Sequence, residues 1–479
     1  MLPGPGLVRP ANFPHLSIGR GPLMSDAILE SIQGSRIETK APRSPLPGAV
    51  LVALVACVVF GYRLEEEPHF ADESAYFSQS YYLGVLADGD RNDPAWLEYP
   101  AYDLPPLPKY LIGASVHLGG FRSPRPADAR AWYGNTSLRF DPPGALTAAR
   151  APMVVVGAVG VVAVYGLGVL AAGRGVGVLA ALLLAANPLF RLQSRRAMSD
   201  APCEAFLLVA LFFALLAWQR ALAGRSRPRT WLVATAAGVF AGLSILSKLS
   251  GVLTFLVVAA WVVLTFFLRR ALLPRKIGFA GMAALLGVVA AVEFVALDPF
   301  LTASPRRHLA RPLEAIRQRN PAERARMMLA LRWKVSADQK QIFPHNALNT
   351  AAEKVSVVAV QGFGRFGPLG PSHSDSTRRF DARQDRGALV WLPWVTAGAI
   401  WAGLRGREQD LSGSPPTAWA LLAHFGVAIV VVTAYLPMAW DRYFLPLQGP
   451  SCLLAAGAAA ATATRLWRWF RGRPAGGGV

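Results

Sequence analysis

Acidic residues crowd the stretch that follows the first apolar run of the chain. Residues 65–77 read EEEPHFADESAYF, and their carboxylates belong to Glu65, Glu66, Glu67, Asp72 and Glu73. A carboxylate held at a membrane face is suited to act as a general base. Asp72 and Glu73 are better candidates than the glutamate triplet, because ADESAYFSQSYYLG predicts a helix along the membrane interface, where tyrosine is favoured. The alternative, in which these acids only cap or solvate a loop, stays open on this stretch alone.

A second group of charged residues lies in RLQSRRAMSDAP at 191–202, between two apolar runs. Arg195, Arg196 and Asp200 form this group. With Arg191, the stretch contains three arginines, and so many cations in a short connection indicate a negatively charged partner. The guanidinium fork matches the oxygens of a phosphate and stays charged, so a phosphate is the natural partner. The alternative is that the arginines reach the headgroups of membrane lipids.

Further ionisable residues stand at the ends of other apolar runs. Lys248 is isolated in GLSILSKLSGVL, and taken singly it favours a lysine that reaches the membrane surface. Asp441 and Arg442 are neighbours in MAWDRYFLPL, where a local ion pair is the simplest interpretation. Glu293 and Asp298 in EFVALDPF are functional candidates, because ionisable groups at membrane depth are costly.

The composition indicates what holds these residues. The chain has 479 residues, of which 53% are hydrophobic and 16% charged, whereas soluble proteins carry about 25% charged residues. Apolar runs long enough to cross a bilayer recur along the sequence, which predicts an all-α polytopic membrane protein. The net charge of +20 then reflects basic cytoplasmic loops rather than nucleic-acid binding. Cys57, Cys203 and Cys452 fall inside apolar runs, so no disulfide framework or thiolate metal site is predicted.

Ten membrane spans are predicted. They lie at 47–63, 148–171, 176–193, 201–219, 231–247, 250–268, 277–297, 388–404, 416–438 and 443–466. Basic residues, among them Arg227, Arg269, Arg270 and Arg473, collect in the short connections of one side, which the positive-inside rule assigns to the cytoplasm together with both termini. The run 105–120 is predicted to be a re-entrant or juxtamembrane helix, since counting it as a crossing would invert this charge pattern.

The spans divide the chain into four regions. Residues 1–46 are Pro/Gly-rich and basic, and we expect a disordered cytoplasmic tail rather than a cleavable signal peptide. Residues 47–298 form a membrane catalytic module whose first outer loop is 64–147. Residues 299–387 are a long outer, periplasmic segment, in which 313–334 predicts an amphipathic helix on the membrane surface. Residues 388–479 contain the last spans and a basic cytoplasmic tail.

This topology brings carboxylates and cations from distant parts of the sequence to one membrane face. Such a set suits transfer chemistry on a phosphate-linked lipid. A transporter or flippase of a lipid-linked or anionic substrate is the main alternative, but it would place ionisable residues near mid-bilayer, in broken helices of two related halves. A structural membrane scaffold would not need acids and arginines on one surface.

Several motifs follow one another in a recognisable order. They are Asp72-Glu73 with the following Tyr76, PPLPKYLIG with Lys109, LTAARAPMVVVGAVG with Arg150, the hairpin from Arg195 or Arg196 to Asp200, the turn at Lys248, and DRYFLPLQGP with Arg442. In this order they resemble the polyprenyl-phosphate-sugar-dependent glycosyltransferases of the GT-C fold, especially the protein O-mannosyltransferase and aminoarabinose transferase superfamily. The resemblance covers 47–298 and 437–450. The chain departs from it at Leu104, where the family often has His or Lys, and over 299–387, which matches no part of it.

The resemblance implies a GT-C fold with about ten transmembrane helices and juxtamembrane helices in the first outer loop. It also implies an inverting transfer of sugar from a polyprenyl-phosphate donor to a hydroxyl of a protein, lipid or glycan acceptor, at an active site that faces outward from an inner or plasma membrane. Asp72 would be the general base, with Tyr76 in the substrate site, and Asp200 would orient a cation or the sugar. Glu73 would support a neighbouring residue or act as a ligand of a divalent metal, which His69 could join; whether a metal is required stays open. Cations would stabilise the departing phosphate; those assigned are Lys109, Arg195, Arg196, Lys248 and Arg442.

Overall fold

The computed structural model describes residues 45–123, 144–225, 228–268, 271–371 and 380–471. The predicted tail up to residue 44, the loop 124–143 and the C-terminal end 472–479 lie outside these ranges. The same is true of several basic residues used for the topology, namely Arg227, Arg269, Arg270 and Arg473. Leu46–Val479 is one compact unit.

The described residues are almost entirely helical. One antiparallel bridge joins Ala347 to Met438, and these residues form no β-strand. The helices of the first half are α1 (Leu46–Gly61), α2 (Ala71–Ser78), α3 (Tyr82–Ala87), α4 (Tyr99–Asp103), α5 (Leu107–Leu118), α6 (Ala145–Ala172), α7 (Arg174–Ala186), α8 (Pro188–Ser194), α9 (Asp200–Leu222) and α10 (Pro228–Ser247). Those of the second half are α11 (Leu253–Phe267), α12 (Leu273–Leu297), α13 (Pro299–Thr302), α14 (Arg311–Arg317), α15 (Pro321–Ile342), α16 (Ala351–Val357), α17 (Ala382–Asp385), α18 (Gly387–Leu411), α19 (Thr417–Tyr435) and α20 (Gln448–Arg471).

Each of the ten predicted spans is helical, which confirms the all-α polytopic architecture. Eight helical segments of the described chain are long and apolar enough to cross a membrane. They are α6, α9, α10, α12 and α19 together with Leu249–Phe267, Ala382–Leu411 and Asp441–Arg471. The other two predicted spans are α1, which has only 16 residues, and the pair formed by α7 and α8.

The pair α7 and α8 is a span that bends by 67° instead of running straight. The break lies at Asn187, whose side chain accepts a hydrogen bond from the Phe190 backbone N–H and so caps α8. Pro188 follows at the first helical position, where its missing N–H costs nothing. The end of α8 leads into the connection that carries Arg195 and Arg196.

The long helix α6 lies at the centre of the bundle and packs against α1, α7 and α9. Small residues make these contacts possible. A Cβ atom on Gly168 would lie 2.6 Å from the Cα atom of Gly177 in α7, and one on Gly160 would lie 3.0 Å from the Cβ atom of Ala205 in α9. In lipid, close backbone approach of this kind stabilises helix pairs through van der Waals contact.

Short helices cover one end of the bundle. The run 105–120 forms α5, whose 12 residues extend about 18 Å, too short to cross the hydrocarbon core. The helix expected over 313–334 is two helices, because Asn320 caps α15 through a reciprocal pair of hydrogen bonds with Glu323 and Pro321 begins the new helix.

A glycine-containing loop follows α16 and is buried rather than exposed. Arg365 in this loop and Asp385 form an ion pair with an Nη2–Oδ2 distance of 2.6 Å, and both side chains are buried. Phe366 stacks on Phe444 with ring centroids 5.0 Å apart. The segment between α16 and α18 is therefore fastened to residues 441–447, which include Arg442.

Candidate active site

Asp72 and Arg442 form an ion pair between the start of α2 and the turn before α20. Asp72 lies in the first turn of α2, and its side chain is 43% exposed. Its Oδ2 atom accepts from Arg442 Nη1, whereas its Oδ1 atom has no hydrogen-bond partner in the described part of the chain. One oxygen of Asp72 thus remains available beside a fixed cation.

Asp200 and Lys248 form a second ion pair next to the first. The Lys248 Nζ atom lies 2.6 Å from Asp200 Oδ1, and Asp200 is the first residue of α9. Burial lowers the pKa of Lys248, and Asp200 outweighs this effect, so that the lysine pKa is raised. The nearby Arg442 charge also lowers the pKa of Lys248, so the two ion pairs lie in one electrostatic environment.

Tyr76 connects α2 to the connection before α9. Its buried hydroxyl donates to Ser199 Oγ at 2.6 Å. Burial raises the pKa of Tyr76, and the charges of Asp200 and Asp72 raise it further. The hydroxyl therefore stays protonated and fixes α2 against the residue that precedes Asp200.

Arg196 completes the cluster and has unused hydrogen-bonding capacity. Its guanidinium carbon lies 4.3 Å from the ring centroid of Phe70, and its Nη1 atom lies 4.0 Å from Asp441 Oδ2. Its buried Nε atom has no hydrogen-bond partner among the described residues. Gln193 Nε2 donates to Asp441 Oδ2 at 3.2 Å. The sequence reasoning gave Gln193 no role, because a glutamine at the end of an apolar run carries no chemical signal.

Glu73 lies behind Asp72 and is completely buried. Its carboxylate binds the Arg150 guanidinium at two points, and it also accepts from the backbone N–H groups of Phe70 and Ala197. Arg150 donates in addition to the carbonyl oxygens of Leu64, Glu67 and Pro68. This arrangement ties the acidic loop to α6 and to the connection before α9, and it leaves Glu73 no open face.

Arg195 points away from the cluster, unlike its neighbour Arg196. It donates to the carbonyl oxygens of Phe60, Tyr62 and Arg63 and pairs with Glu67 at 2.8 Å. These carbonyl groups belong to the end of α1 and the turn after it, where the last helical carbonyls lack intrahelical donors. Arg195 is therefore committed to capping α1, and its donors are not available for a phosphate.

Lys109 is buried in α5 in a separate environment. Its Nζ atom donates to the Pro100 carbonyl at 2.6 Å and lies 5.2 Å from the ring centroid of Tyr82. Burial lowers the pKa of Lys109 and raises that of Asp298, and each charge partly offsets the effect on the other. No contact joins Lys109 to Asp72, Asp200, Lys248 or Arg442 within the described chain.

Arg332 of α15 is a cation that the sequence reasoning did not single out. It pairs with Asp103, and its charge acts on both Tyr76 and Lys109. The ion pair joins α15 to α4, the helix that ends at Asp103. The signal of Arg332 in the sequence was hidden, because it is one of many arginines in a segment for which no role was predicted.

The carboxylates of the site do not fit a divalent metal. Asp72 and Asp200 each pair with a fixed cation, and the oxygens of Glu73 are occupied by Arg150 and two backbone N–H groups. His69 lies 2.9 Å from Ser74 Oγ. Across the described ranges, no group of three His, Cys, Asp or Glu side chains is arranged to hold a metal ion.

Comparison with known proteins identifies the fold. A family profile described as dolichyl-phosphate-mannose-protein mannosyltransferase matches residues 144–293. A comparison with curated protein sequences returned no match. The oligosaccharyltransferase AglB from Archaeoglobus fulgidus, in complex with an inhibitory peptide and a dolichol-phosphate, matches with a TM-score of 0.50 and 15% identity. That match covers 91% of this chain and 52% of AglB.

Two further structures give the same result. The Archaeoglobus fulgidus oligosaccharyltransferase tethered with an acceptor peptide matches at a TM-score of 0.54 and 16% identity, over 90% of this chain and 51% of that protein. ArnT from Cupriavidus metallidurans bound to undecaprenyl phosphate matches at a TM-score of 0.52 and 16% identity. That match covers 87% of this chain and 61% of ArnT. The chain spans about half the length of the oligosaccharyltransferases that it matches. The structural matches show that the chain shares the fold of these membrane glycosyltransferases, and residues 144–293 are similar to the mannosyltransferase family profile.

Proposed function

We propose that the chain is an inverting glycosyltransferase that moves a sugar from a polyprenyl-phosphate donor to an acceptor hydroxyl at the outer face of the membrane. The observation that carries this proposal is the Asp72 carboxylate, which is 43% exposed and keeps one oxygen without a partner. Glu73 and Asp200, the other acids assigned to catalysis, are buried in ion pairs.

Asp72 is the general base of the proposed reaction. Its Oδ1 atom takes the proton of the acceptor hydroxyl as the acceptor oxygen forms a bond to the anomeric carbon of the sugar. The bond between that carbon and the phosphate oxygen breaks, and its electron pair stays on the phosphate. Attack from the side opposite the leaving group inverts the anomeric carbon.

Cations of the cluster stabilise the departing phosphate. Arg442 and Lys248 each use only part of their donors on the Asp72 and Asp200 carboxylates, and Lys248 is 31% exposed. Arg196 keeps its Nε–H group free of any partner in the described chain. Fixed donors aimed at developing negative charge lower the barrier without a reorganisation cost.

The remaining predicted residues hold this arrangement in place. Asp200 positions Lys248, Tyr76 fixes α2 through Ser199, and Glu73 joins the acidic loop to Arg150. We leave Arg195 out of the phosphate site, because it caps α1. Lys109 would contact the donor only where part of the donor lies beside its buried amino group, next to the Pro100 carbonyl.

The positive-inside pattern supports a site on the outer side, with both termini in the cytoplasm. We also propose the four regions expected from the sequence as the domain organisation of the chain. The fold of the matching structures, some of which hold dolichol-phosphate or undecaprenyl phosphate, supports a lipid-phosphate donor.

Transfer of radiolabelled sugar from a panel of polyprenyl-phosphate sugars tests the proposal, with reconstituted wild-type protein and Asp72→Asn. We expect transfer by the wild type and a loss of at least about a hundred-fold in the variant, as is usual for a general base. Glu65→Gln is the matched control, because Glu65 is an exposed acid of the same loop and should keep full activity. Equal transfer by Asp72→Asn would contradict the assignment of the base. Movement of the intact donor across vesicles without transfer would favour a flippase.

A further inference from the structure

Five aromatic rings form a continuous chain of contacts on the outer part of the molecule. Trp333 packs against Tyr435 with ring centroids 5.9 Å apart, and Tyr435 against Tyr443 at 6.2 Å. Tyr443 stacks with Trp440 at 6.4 Å, and Trp440 packs against Phe343 at 5.4 Å. We call this set, Phe343, Trp333, Trp440, Tyr435 and Tyr443, the aromatic platform.

The platform is open to its surroundings and has unused polar groups. Trp333 is 66% exposed, Tyr435 41% and Phe343 40%. Neither the Tyr435 nor the Tyr443 hydroxyl group forms a hydrogen bond within the part of the chain that the structure describes. A ring face with a free hydroxyl offers both apolar contact and a polar end to a ligand.

The platform reaches the proposed active site directly. The Arg442 guanidinium carbon lies 4.9 Å from the Trp440 ring centroid and 6.0 Å from that of Tyr443. Arg442 is the partner of Asp72, so these two rings border the proposed base. A ligand lying on the rings would present its end to the Asp72 carboxylate.

Backbone pairing holds the two parts of the platform together. Leu348 N donates to the Pro437 carbonyl and Ala439 N to the Asn346 carbonyl, both at 2.9 Å. The outer segment that supplies Trp333 and Phe343 is thereby fixed against the turn that supplies Trp440 and Tyr443. The rings are thus arranged before any ligand binds, which lowers the entropy cost of recognition.

We propose that the aromatic platform binds the acceptor and that this acceptor is a saccharide chain. The apolar C–H faces of sugar rings pack on aromatic faces, and sugar hydroxyls bond to phenol hydroxyls and to cations. This proposal rests on the proposed function, because only that function makes the saccharide an acceptor. Binding of the saccharide can be measured without any transfer reaction.

The surroundings of the platform favour a saccharide over the prenyl tail of a donor. Lys334 is exposed next to Trp333, and Lys354 donates to the carbonyl of Ala434, the residue before Tyr435. A prenyl tail has no groups that could use these cations or the two free phenol hydroxyls. A prenyl tail would also pack equally well on aliphatic side chains. Replacing Trp333 with leucine therefore distinguishes a prenyl tail from a saccharide.

Saturation-transfer NMR on the full chain in lipid nanodiscs tests binding. The probes are mannotriose, arabinotriose, maltotriose and a threonine-containing pentapeptide. We expect ring-proton signals from at least one trisaccharide that disappear in Trp333→Leu and persist in Trp333→Phe. Trp231→Leu is the matched control and should keep the signals, because Trp231 is similarly exposed, at 41%, on α10.

Three results of the NMR experiment would overturn the proposal. They are the absence of signal from every trisaccharide, signals that do not depend on Trp333, and a Trp333-dependent signal from the peptide alone. Loss of undecaprenyl-phosphate binding in Trp333→Leu, measured by native mass spectrometry, would assign the platform to the donor tail instead.

A kinetic comparison separates this proposal from the proposed function. With an accepted donor and a binding trisaccharide, Trp333→Leu should raise the acceptor KM about ten-fold and leave the donor KM unchanged, as expected for one lost stacking contact. Failure of every donor in the transfer assay would count against the proposed function, while the NMR result would still decide whether the platform binds saccharides.

Discussion

The Glu73 carboxylate and the Arg150 guanidinium form a two-point ion pair inside the protein, with Nε–Oε1 and Nη2–Oε2 distances of 2.8 and 2.7 Å. Both side chains are almost fully shielded from solvent, and Glu73 stands next to the exposed Asp72 in the sequence. Adjacent acids of one motif thus have different roles in the structure, and substitution can tell them apart.

Glu73→Gln should destabilise the fold, because removing one partner of a buried pair leaves the other charge uncompensated. The expected cost is about 3–5 kcal/mol, seen as a clear drop in the thermal unfolding midpoint of the purified protein. Asp72→Asn should unfold at nearly the wild-type temperature and yet lose transfer. A Glu73→Gln protein that is stable but inactive would instead assign Glu73 a part in the chemistry.

Arg195→Lys should lower stability and Arg196→Lys should weaken donor binding, although the two residues are neighbours. Lysine cannot reproduce the guanidinium contacts of Arg195 with three carbonyl oxygens, so the first variant should lower the unfolding temperature. Arg196 has an unused donor, so the second variant should raise the donor KM several-fold with stability retained. Equal donor KM values for wild type and Arg196→Lys would remove Arg196 from the phosphate site.

The pH profile of transfer should report on Lys248. Asp200 raises the pKa of this lysine above its ordinary value, so the side chain stays protonated as the pH rises and its charge is lost only at still higher pH. We expect no alkaline loss of transfer below about pH 9, since the ordinary lysine value is already near 10.4. In Asp200→Asn the raising effect is gone, and the alkaline limb should move to lower pH. An unchanged limb would mean that Asp200 does not control this charge.

Removal of divalent ions should leave transfer unchanged. Asp72 and Asp200 already have cationic partners, so the cluster has balanced charges without a metal. Rates measured after dialysis against a chelator should equal those with added magnesium or manganese. A loss that is restored by one of these ions would show that the ion pairs open to admit a metal.

Sequence patterns were sufficient for the helices, because an apolar run of bilayer length has few alternatives to a span. The Asn187-Pro188 bend was also readable in principle, since an N-cap residue followed by proline starts a helix. The sequence could not predict that Arg195 caps α1 while Arg196 joins the cluster. The two residues have the same chemistry and differ only in where their side chains point. Likewise, the burial of Lys109 and the ion pair of Arg332 with Asp103 depend on how α5 and α15 pack, which no local sequence pattern encodes.

The cap that Arg195 places on α1 has a consequence for the order of assembly. The carbonyl groups of Phe60, Tyr62 and Arg63 receive their donor from a residue made 132 to 135 positions later. During synthesis, the end of α1 must therefore rely on water or other donors until α6, α7 and α8 have been made and Arg195 has followed them. Helix α1 is thus made before the residue that fixes its end, and a chain that ends before Arg195 should hold α1 only loosely.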